Sequence, residues 1–229
     1  MTETGRVFAD SNEPRQIHTR AFGRPTDEFL ARVIDENNNE VPPGTEGELL
    51  VKCGGGDPRR GFFAGYLKNE EATEEAWKGG WFHTGDTVRQ DESGMLYFVD
   101  RKKNIIRRSG ENIAAAEVEA VLQAHEDIAK VAVIAVKDEL REEEVMACIV
   151  LLEGVAATEE TAEGLFSYAD ECLAYFKTPG WILFLDDLPT TGTQKIQKTR
   201  IFGADVDPRE QAGAVDFREM KRKKKSLLS

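Results

Sequence analysis

Cysteine is scarce in this sequence. The 229 residues hold three, Cys53, Cys148 and Cys172, with neither CxxC nor metal-ligand spacing. An odd count leaves one thiol over in any disulfide scheme, so the reading is of reduced, mostly packing cysteines in a cytosolic protein. Cys148 sits within Val145-Met146-Ala147-Cys148-Ile149-Val150, where a small apolar residue suits a buried strand. Long apolar runs are also missing: no stretch approaches 18 residues, which excludes a membrane-spanning helix. The amino terminus, Met1-Thr2-Glu3-Thr4-Gly5-Arg6, lacks the apolar core of a secretion signal. There is no internal repeat. Cations are outnumbered, 30 against 42 acidic residues for a net charge of −12, which disfavours nucleic acid as the main partner. The exception is Lys221-Arg222-Lys223-Lys224-Lys225, five mutually repelling cations that read as a solvated, frayed terminus. A membrane-surface or nucleic-acid role for this tail is the lesser alternative. These absences together imply a soluble, cytoplasmic protein.

A hydrophobic content of 40% is enough for a packed core. Residues 1 to about 100 read as strands and turns. Phe29–Ile34 is a strand stopped by Asp35-Glu36-Asn37-Asn38-Asn39, and Pro42-Pro43-Gly44 makes a turn into the strand Gly47–Lys52. Gly54-Gly55-Gly56 opens a loop, Glu70–Trp77 is a short polar helix, and Leu96–Val99 is a compact strand. After residue 103 strands and helices alternate. Val118, Val121 and Leu122 share a helical stripe, and Lys130–Val136 and Val145–Leu152 are apolar strands. Glu159–Phe176 carries Leu165, Phe166, Ala169, Cys172 and Leu173 on one helical face, and Trp181–Leu185 is a further strand. The pattern predicts an α+β protein: a strand-rich unit over 1–102 (a partial barrel or sheet), a small α/β unit over 103–215, and a basic, disordered tail over 216–229.

Four short segments carry candidate chemistry. In Trp81-Phe82-His83-Thr84-Gly85-Asp86, an ionised Asp at a glycine turn offers two acceptor oxygens, matching the two donors of a ribose diol. Taken alone, Thr-Gly-Asp is also an ordinary turn. In Asp100-Arg101-Lys102-Lys103-Asn104, Arg101 presents a planar donor fork for ribose or phosphate oxygens, whereas Lys102 reads as a solvated charge. Arg108-Ser109-Gly110-Glu111-Asn112 is small enough for a ligand chain to approach closely, and Asn112 equally suits a helix cap. In Leu188-Pro189-Thr190-Thr191-Gly192-Thr193-Gln194-Lys195-Ile196-Gln197-Lys198, a loop lysine is a mobile cation able to stabilise charge that develops during transfer. By itself such a lysine is more often a solubilising charge.

In order and spacing, these four segments resemble the AMP-forming superfamily of acyl-CoA synthetases, luciferases and peptide-synthetase adenylation domains. Gly61-Phe62-Phe63-Ala64-Gly65-Tyr66-Leu67-Lys68-Asn69, with Glu71, Thr73 and Trp77, is similar to that family's Gly-Tyr-x-Asn segment. The resemblance covers all but the basic tail. It implies an enzyme that joins a carboxylic acid to ATP as an acyl-adenylate, releasing pyrophosphate, and then passes the acyl group to the CoA thiol with loss of AMP. By the same resemblance Asp86 holds the ribose hydroxyls, Arg101 assists, and Lys195 reaches the acyl carboxylate and α-phosphate. Lys103 falls at the hinge between half-reactions. Ser109, Gly110 and Glu111 fall on the loop that approaches the pantetheine channel of CoA. Gln194 stands where the family usually has glycine, and Thr-Gln-Lys-Ile-Gln-Lys resembles the branch acting on carnitine-like short acids. Lys198 is the neighbouring candidate for the reactive lysine, in poorer register.

Met1-Thr2-Glu3 matches the last three positions of the family's Tyr-Gly-x-Thr-Glu motif, which implies Thr2 at phosphate and Glu3 at Mg²⁺. The chain is therefore expected to start inside a motif, as a misassigned start, a gene remnant or an expressed fragment, and to be inactive alone. Partners of the full enzyme would be the acid, ATP and CoA. The alternative is a non-catalytic fragment that binds at most nucleotide, CoA or a partner. A peptide-synthetase domain is disfavoured because a basic tail, not a carrier domain, follows.

Overall fold

The structure, a computed structural model, describes residues 3–5, 7–9, 16 and 19–221. Its internal contacts separate into two compact units, Met1–Lys103 and Asn104–Ser229. The class is α+β, and each unit is organised around one six-stranded sheet.

The first unit is an antiparallel sheet ordered β1-β2-β6-β5-β4-β3. Its strands are β1 (Phe8–Ala9), β2 (Ala21–Pro25), β3 (Phe29–Ile34), β4 (Glu46–Cys53), β5 (Phe82–Gln90) and β6 (Leu96–Arg101). Val33, Leu49, Val51, Val88 and Leu96 are buried together with Trp77 and Phe82. Phe62 stands edge-on to Trp77 at 5.0 Å, an arrangement that suits the ring quadrupoles. One short helix, α1 (Glu70–Ala76), starts where the Asn69 side chain accepts from the Ala72 N–H, satisfying one of the helix's otherwise unpaired donors. Strand β5 is longer than the sequence suggests. His83, Gly85 and Asp86 have low strand propensity, yet the run continues through a bulge because partners on both sides hold it.

The second unit is built on two long strands, β9 (Ile128–Asp138) and β10 (Glu142–Leu151), paired antiparallel over nearly their whole length. On its other side β10 pairs in parallel with β11 (Trp181–Phe184). Glu142, at the start of β10, also bridges to Arg108 in β7 (Ile105–Arg108). β7 turns back into β8 (Glu111–Ala114), and β12 (Val215–Asp216) pairs with β11. Helices α2 (Ala115–Gln123) and α3 (Glu159–Cys172) contribute Val118, Leu122, Leu165, Phe166 and Ala169 to a core with Val145, Ala147 and Ile149 of β10. The alternate residues, Met146 and Cys148, face a second cluster closed by Leu188, Ile196, Ile201 and Phe202. A strand covered on both faces reads as an unbroken apolar run, which is why Val145–Val150 does not alternate. Burial pushes the Cys148 thiol up to about 12, as suits a packing residue.

Three expectations are corrected here. Helix α3 stops at Cys172 rather than Phe176, because Leu173 turns into extended backbone while staying buried. Cys172 consequently lies exposed instead of on the apolar face. The tail expected from residue 216 does not begin there. Asp216 pairs with Trp181, Phe217 is 2% exposed and stacks on Phe166 at 4.8 Å, and the Lys221 side chain is fully buried. Composition alone hid this, since one aromatic and one paired cation decide the placement. Residues 222–229 lie outside the described set.

Candidate functional site

The Thr84-Gly85-Asp86 segment is a bulge inside β5, not a turn. Residues 84 to 86 lie within the register shift opposite β4, with Gly85 at φ +66°, a conformation that costs glycine little. The Thr84 hydroxyl donates to the Leu49 carbonyl at 2.8 Å and accepts from the Asp86 N–H at 3.1 Å, pinning the bulge. Asp86 is then directly opposite Arg101 across the β5–β6 pair. Their ion pair measures 2.9 Å from Oδ1 to Nε, with Asp86 only 6% exposed. The Arg101 guanidinium also reaches the Thr84 carbonyl at 3.4 Å. The cross-strand position and the bulge together hold this nearly buried carboxylate beside the guanidinium in one orientation.

Beside this pair lies Glu48, which the sequence reading did not single out. Glu48 is 8% exposed and sits between Lys102, at 2.8 Å, and His83, at 3.4 Å. Lys102, expected as a solvated charge, is thus tied down by Glu48. The Tyr66 phenol is raised above its ordinary range by burial and by the charge of Glu3, with Arg101 opposing. Tyr66, Glu3 and Arg101 therefore share one electrostatic environment in the first unit. The only sequence signal for Tyr66 was its place in Gly65-Tyr66-Leu67-Lys68-Asn69, the run similar to the family's Gly-Tyr-x-Asn segment. Glu3 is half-buried and its carbonyl accepts from the Phe63 N–H at 2.8 Å. Among the described residues no three His, Cys, Asp or Glu side chains cluster as a metal cage. Thr2 lies outside the described residues.

Lys103 is the last residue of the first unit, exposed in the short 3₁₀ turn Lys102–Asn104. Ser109 and Gly110 form the two-residue turn of the β7–β8 hairpin, with φ of +51° and +82°. Two consecutive left-handed residues match the right-handed twist of the flanking strands. Ser109, Gly110 and Glu111 are all exposed at that tip. Asn112 does not cap a helix: it lies in β8, and helix α2 begins after Ala114 with no side-chain cap.

The Lys195 loop is a tight hairpin closed by a Thr190–Ile196 bridge. The Thr191 N–H donates to the Lys195 carbonyl at 2.8 Å, and the Lys195 N–H donates to the Thr191 hydroxyl at 3.2 Å. Gln194 sits at φ +63°, in the left-handed region glycine favours. The two candidate lysines differ in their surroundings. Lys198 is held at 2.7 Å by Glu119 of α2, which also accepts from the Val133 N–H of β9. Lys195 is exposed, and among the described residues no carboxylate lies within ion-pair distance of it. Only Lys195 is therefore free to move to a ligand.

Residues 117–195 match the AMP-binding enzyme C-terminal domain. The chain is 38% identical over 182 residues to a crotonobetaine/carnitine–CoA ligase of Salmonella arizonae, covering 79% of this chain and 34% of that protein. Among solved structures, it resembles O-succinylbenzoate coenzyme A synthetase (MenE) from Bacillus subtilis in complex with AMP, at 30% identity and TM-score 0.71, covering 89% of this chain and 40% of that one. It also resembles ATP-bound MatB from Rhodopseudomonas palustris, at 31% identity and TM-score 0.63, covering 79% of this chain and 34% of that one. The chain spans about a third of the length of the curated relatives it matches.

Proposed function

We propose that this chain carries the C-terminal part of an acid–CoA ligase of the AMP-forming adenylating superfamily, a reading supported by the family match over residues 117–195 and by the relatives described above. The overall reaction joins ATP, a carboxylic acid and CoA to give acyl-CoA, AMP and pyrophosphate. The observation that carries the reading is the cross-strand pair Asp86–Arg101, a buried carboxylate set by a bulge beside a cation. Asp86 accepts hydrogen bonds from the two ribose hydroxyls of ATP while Arg101 holds it turned toward them. Lys195 brings its exposed ammonium to the acyl carboxylate and the α-phosphate, where negative charge accumulates as the acyl–phosphate bond forms and pyrophosphate leaves. Glu3 gives one carboxylate to Mg²⁺. That cation is ordinarily held by one or two carboxylates with phosphate oxygens and water rather than by an all-protein cage. Lys103 is the pivot between the half-reactions, and the Ser109–Gly110–Glu111 turn meets the pantetheine arm of CoA, whose thiol displaces AMP. The carnitine-like acids named for the relatives are the first substrates to try, and the cytoplasm is the compartment that fits the free thiols.

Two measurements test this. Calorimetric titration of the 229-residue chain with AMP and with 2′,3′-dideoxy-AMP asks for the ribose contact. Binding is expected only with the diol and is expected to vanish in Asp86→Ala; equal binding of both nucleotides would remove Asp86 from its role. Carboxylate-dependent exchange of pyrophosphate into ATP, in a protein carrying these residues with the rest of the adenylating domain, is expected to fall roughly 10²–10³-fold in Lys195→Ala. An equal fall in Lys198→Ala with Lys195→Ala silent would transfer the role. The 229-residue chain alone is expected to show no exchange.

A further inference from the structure

The reaction above leaves unused a buried cluster of charges in the second unit. The Glu144 carboxylate is fully buried, as is the Lys221 side chain that donates to its Oε1 at 2.6 Å. Arg108, 3% exposed, reaches both carboxylate oxygens through Nε at 2.9 and 2.8 Å. The Val145 N–H donates to Oε1 at 2.9 Å, and Arg141 stands 3.9 Å from Oε2. Two buried cations against one carboxylate do not recommend themselves as a source of stability, because well-packed apolar residues do as well or better. What such a cluster supplies is a fixed geometry.

The geometry it fixes is that of the β7–β8 hairpin. Arg108 is the last residue before the Ser109–Gly110 turn, and its guanidinium is held by Glu144. The Arg107 N–H donates to Glu143 Oε2 at 2.7 Å. The Ser109 N–H donates to the Arg141 carbonyl at 3.1 Å, and Arg108 bridges Glu142. Every one of these attachments lands on the four residues Arg141–Glu144. Glu144 in turn is gripped from the far side by Lys221, which the Phe217–Phe166 stack and the β11–β12 pairing bring into place. We propose that Lys221 is a positioning residue that, through Glu144 and Arg108, sets the pose of the Ser109–Gly110–Glu111 turn.

The functional side of this inference rests on the reading that the turn meets CoA; the mechanical side does not. The charged groups facing Lys221 are Glu144 from β10, Arg108 from β7 and Arg141 from the turn after β9, while Arg218 on its own segment is engaged by Asp138 and Asp216. Burial holds the Lys221 ammonium down to about 8. As pH rises through that value its proton leaves, and Glu144 keeps Arg108 as its hydrogen-bonded cation, with Arg141 at 3.9 Å.

The test is amide hydrogen exchange by NMR on the 229-residue chain between pH 6.5 and 9.5, corrected for intrinsic base catalysis. Wild type, Lys221→Arg and Lys221→Met are compared at the Ser109 amide, with Val133 and Ala147 as references. In wild type, Ser109 protection is expected to fall roughly ten-fold across a step near pH 8 while the references hold. Lys221→Arg keeps the pairing but cannot titrate, so protection stays high and the step disappears. Lys221→Met loses protection at every pH; if it fails to fold, the wild-type profile and Lys221→Arg still decide. Ser109 exchange indifferent to pH and to both substitutions, or changes shared equally by Val133 and Ala147, overturns the proposal. CoA binding on the same proteins separates the two readings: a turn that loosens without altering CoA affinity supports the positioning role and removes CoA from the turn.

Discussion

Replacing Glu144 by Gln keeps the shape of the side chain and removes its charge. Arg108 and Lys221 then remain buried without a counter-ion. Breaking a buried pair by removing one partner typically costs about 3–5 kcal/mol. Lys221 can lower its share of that cost by releasing a proton, since burial already brings it to about 8. Arg108 cannot, because a guanidinium keeps its charge at any working pH, and at 3% exposure it has little access to water. The expected loss is therefore near the low end, about 3 kcal/mol. The second unit contains roughly 125 residues. With an unfolding entropy of about 2.1 cal/mol/K per residue, the loss corresponds to a fall in its melting temperature of about 11 °C. Scanning calorimetry of the 229-residue chain reads this directly, with near-ultraviolet circular dichroism following the packed aromatic residues. The exposed pair Arg59–Glu74, with side chains 41% and 62% exposed, serves as the control; Glu74→Gln is expected to leave the melting temperature nearly unchanged. A Glu144→Gln shift no larger than the control's would refute the reasoning, because it would mean that Arg108 is hydrated in solution.

Three further outcomes follow from the same structure. Gly180→Ala would place a methyl 2.5 Å from Glu144 Cγ and 3.1 Å from Arg218 Cγ, so it is expected to cost about 1–3 kcal/mol by overpacking, measured by urea unfolding, and to loosen the Ser109 turn as well. At position 194, glycine is expected to be tolerated and valine to cost about 1–2 kcal/mol through the left-handed backbone; equal melting temperatures for the two variants would deny that the loop holds this conformation. On the acid side, Asp207 is held below its ordinary 3.8 by the Arg209 hydrogen bond. Burial of Asp138 acts in the opposite direction but is outweighed by the hydrogen bonds from Arg218 and the Leu140 and Arg141 N–H groups, so Asp138 is lowered too. The native state then binds fewer protons than the unfolded one, so this stability is present above pH 3.8 and is lost as pH falls through the lower folded values. Melting temperatures between pH 5 and 3 should drop, and Arg218→Gln should flatten the drop; an unchanged slope counts against the Arg218 contacts.

Much of the fold was legible because local pattern and burial agree in the strongest segments. The Val118–Leu122 and Leu165–Ala169 stripes pack inward as their spacing assigns, Val145–Ile149 is a buried strand, and Phe29–Ile34 forms the expected strand although its Leu30 stays exposed. The candidate site was legible as motifs in order, and Asp86, Arg101, Ser109–Glu111 and Lys195 now have definite surroundings whose roles await measurement. What misled was local chemistry overridden by distant partners. Thr84-Gly85-Asp86 reads as a turn, yet β4 and β6 hold it in a bulged strand. Asn112 reads as a cap, yet pairing with Arg107 puts it in a hairpin. Cys172 lies on a helical stripe whose helix ends with it.

The sequence by itself determined the class of the chain, its apolar faces and the short motifs, because these depend on periodicity and on residues near one another along the chain. Only the tertiary structure decided which charges are paired. Lys198 is tied to Glu119 while no carboxylate among the described residues pairs with Lys195, and Lys102 is tied to Glu48. Lys221, the first residue of a basic run, is drawn inside by a carboxylate 77 positions earlier. A cation's fate depends on whether a carboxylate and an apolar wall meet it in space, and nothing in its immediate neighbours carries that information.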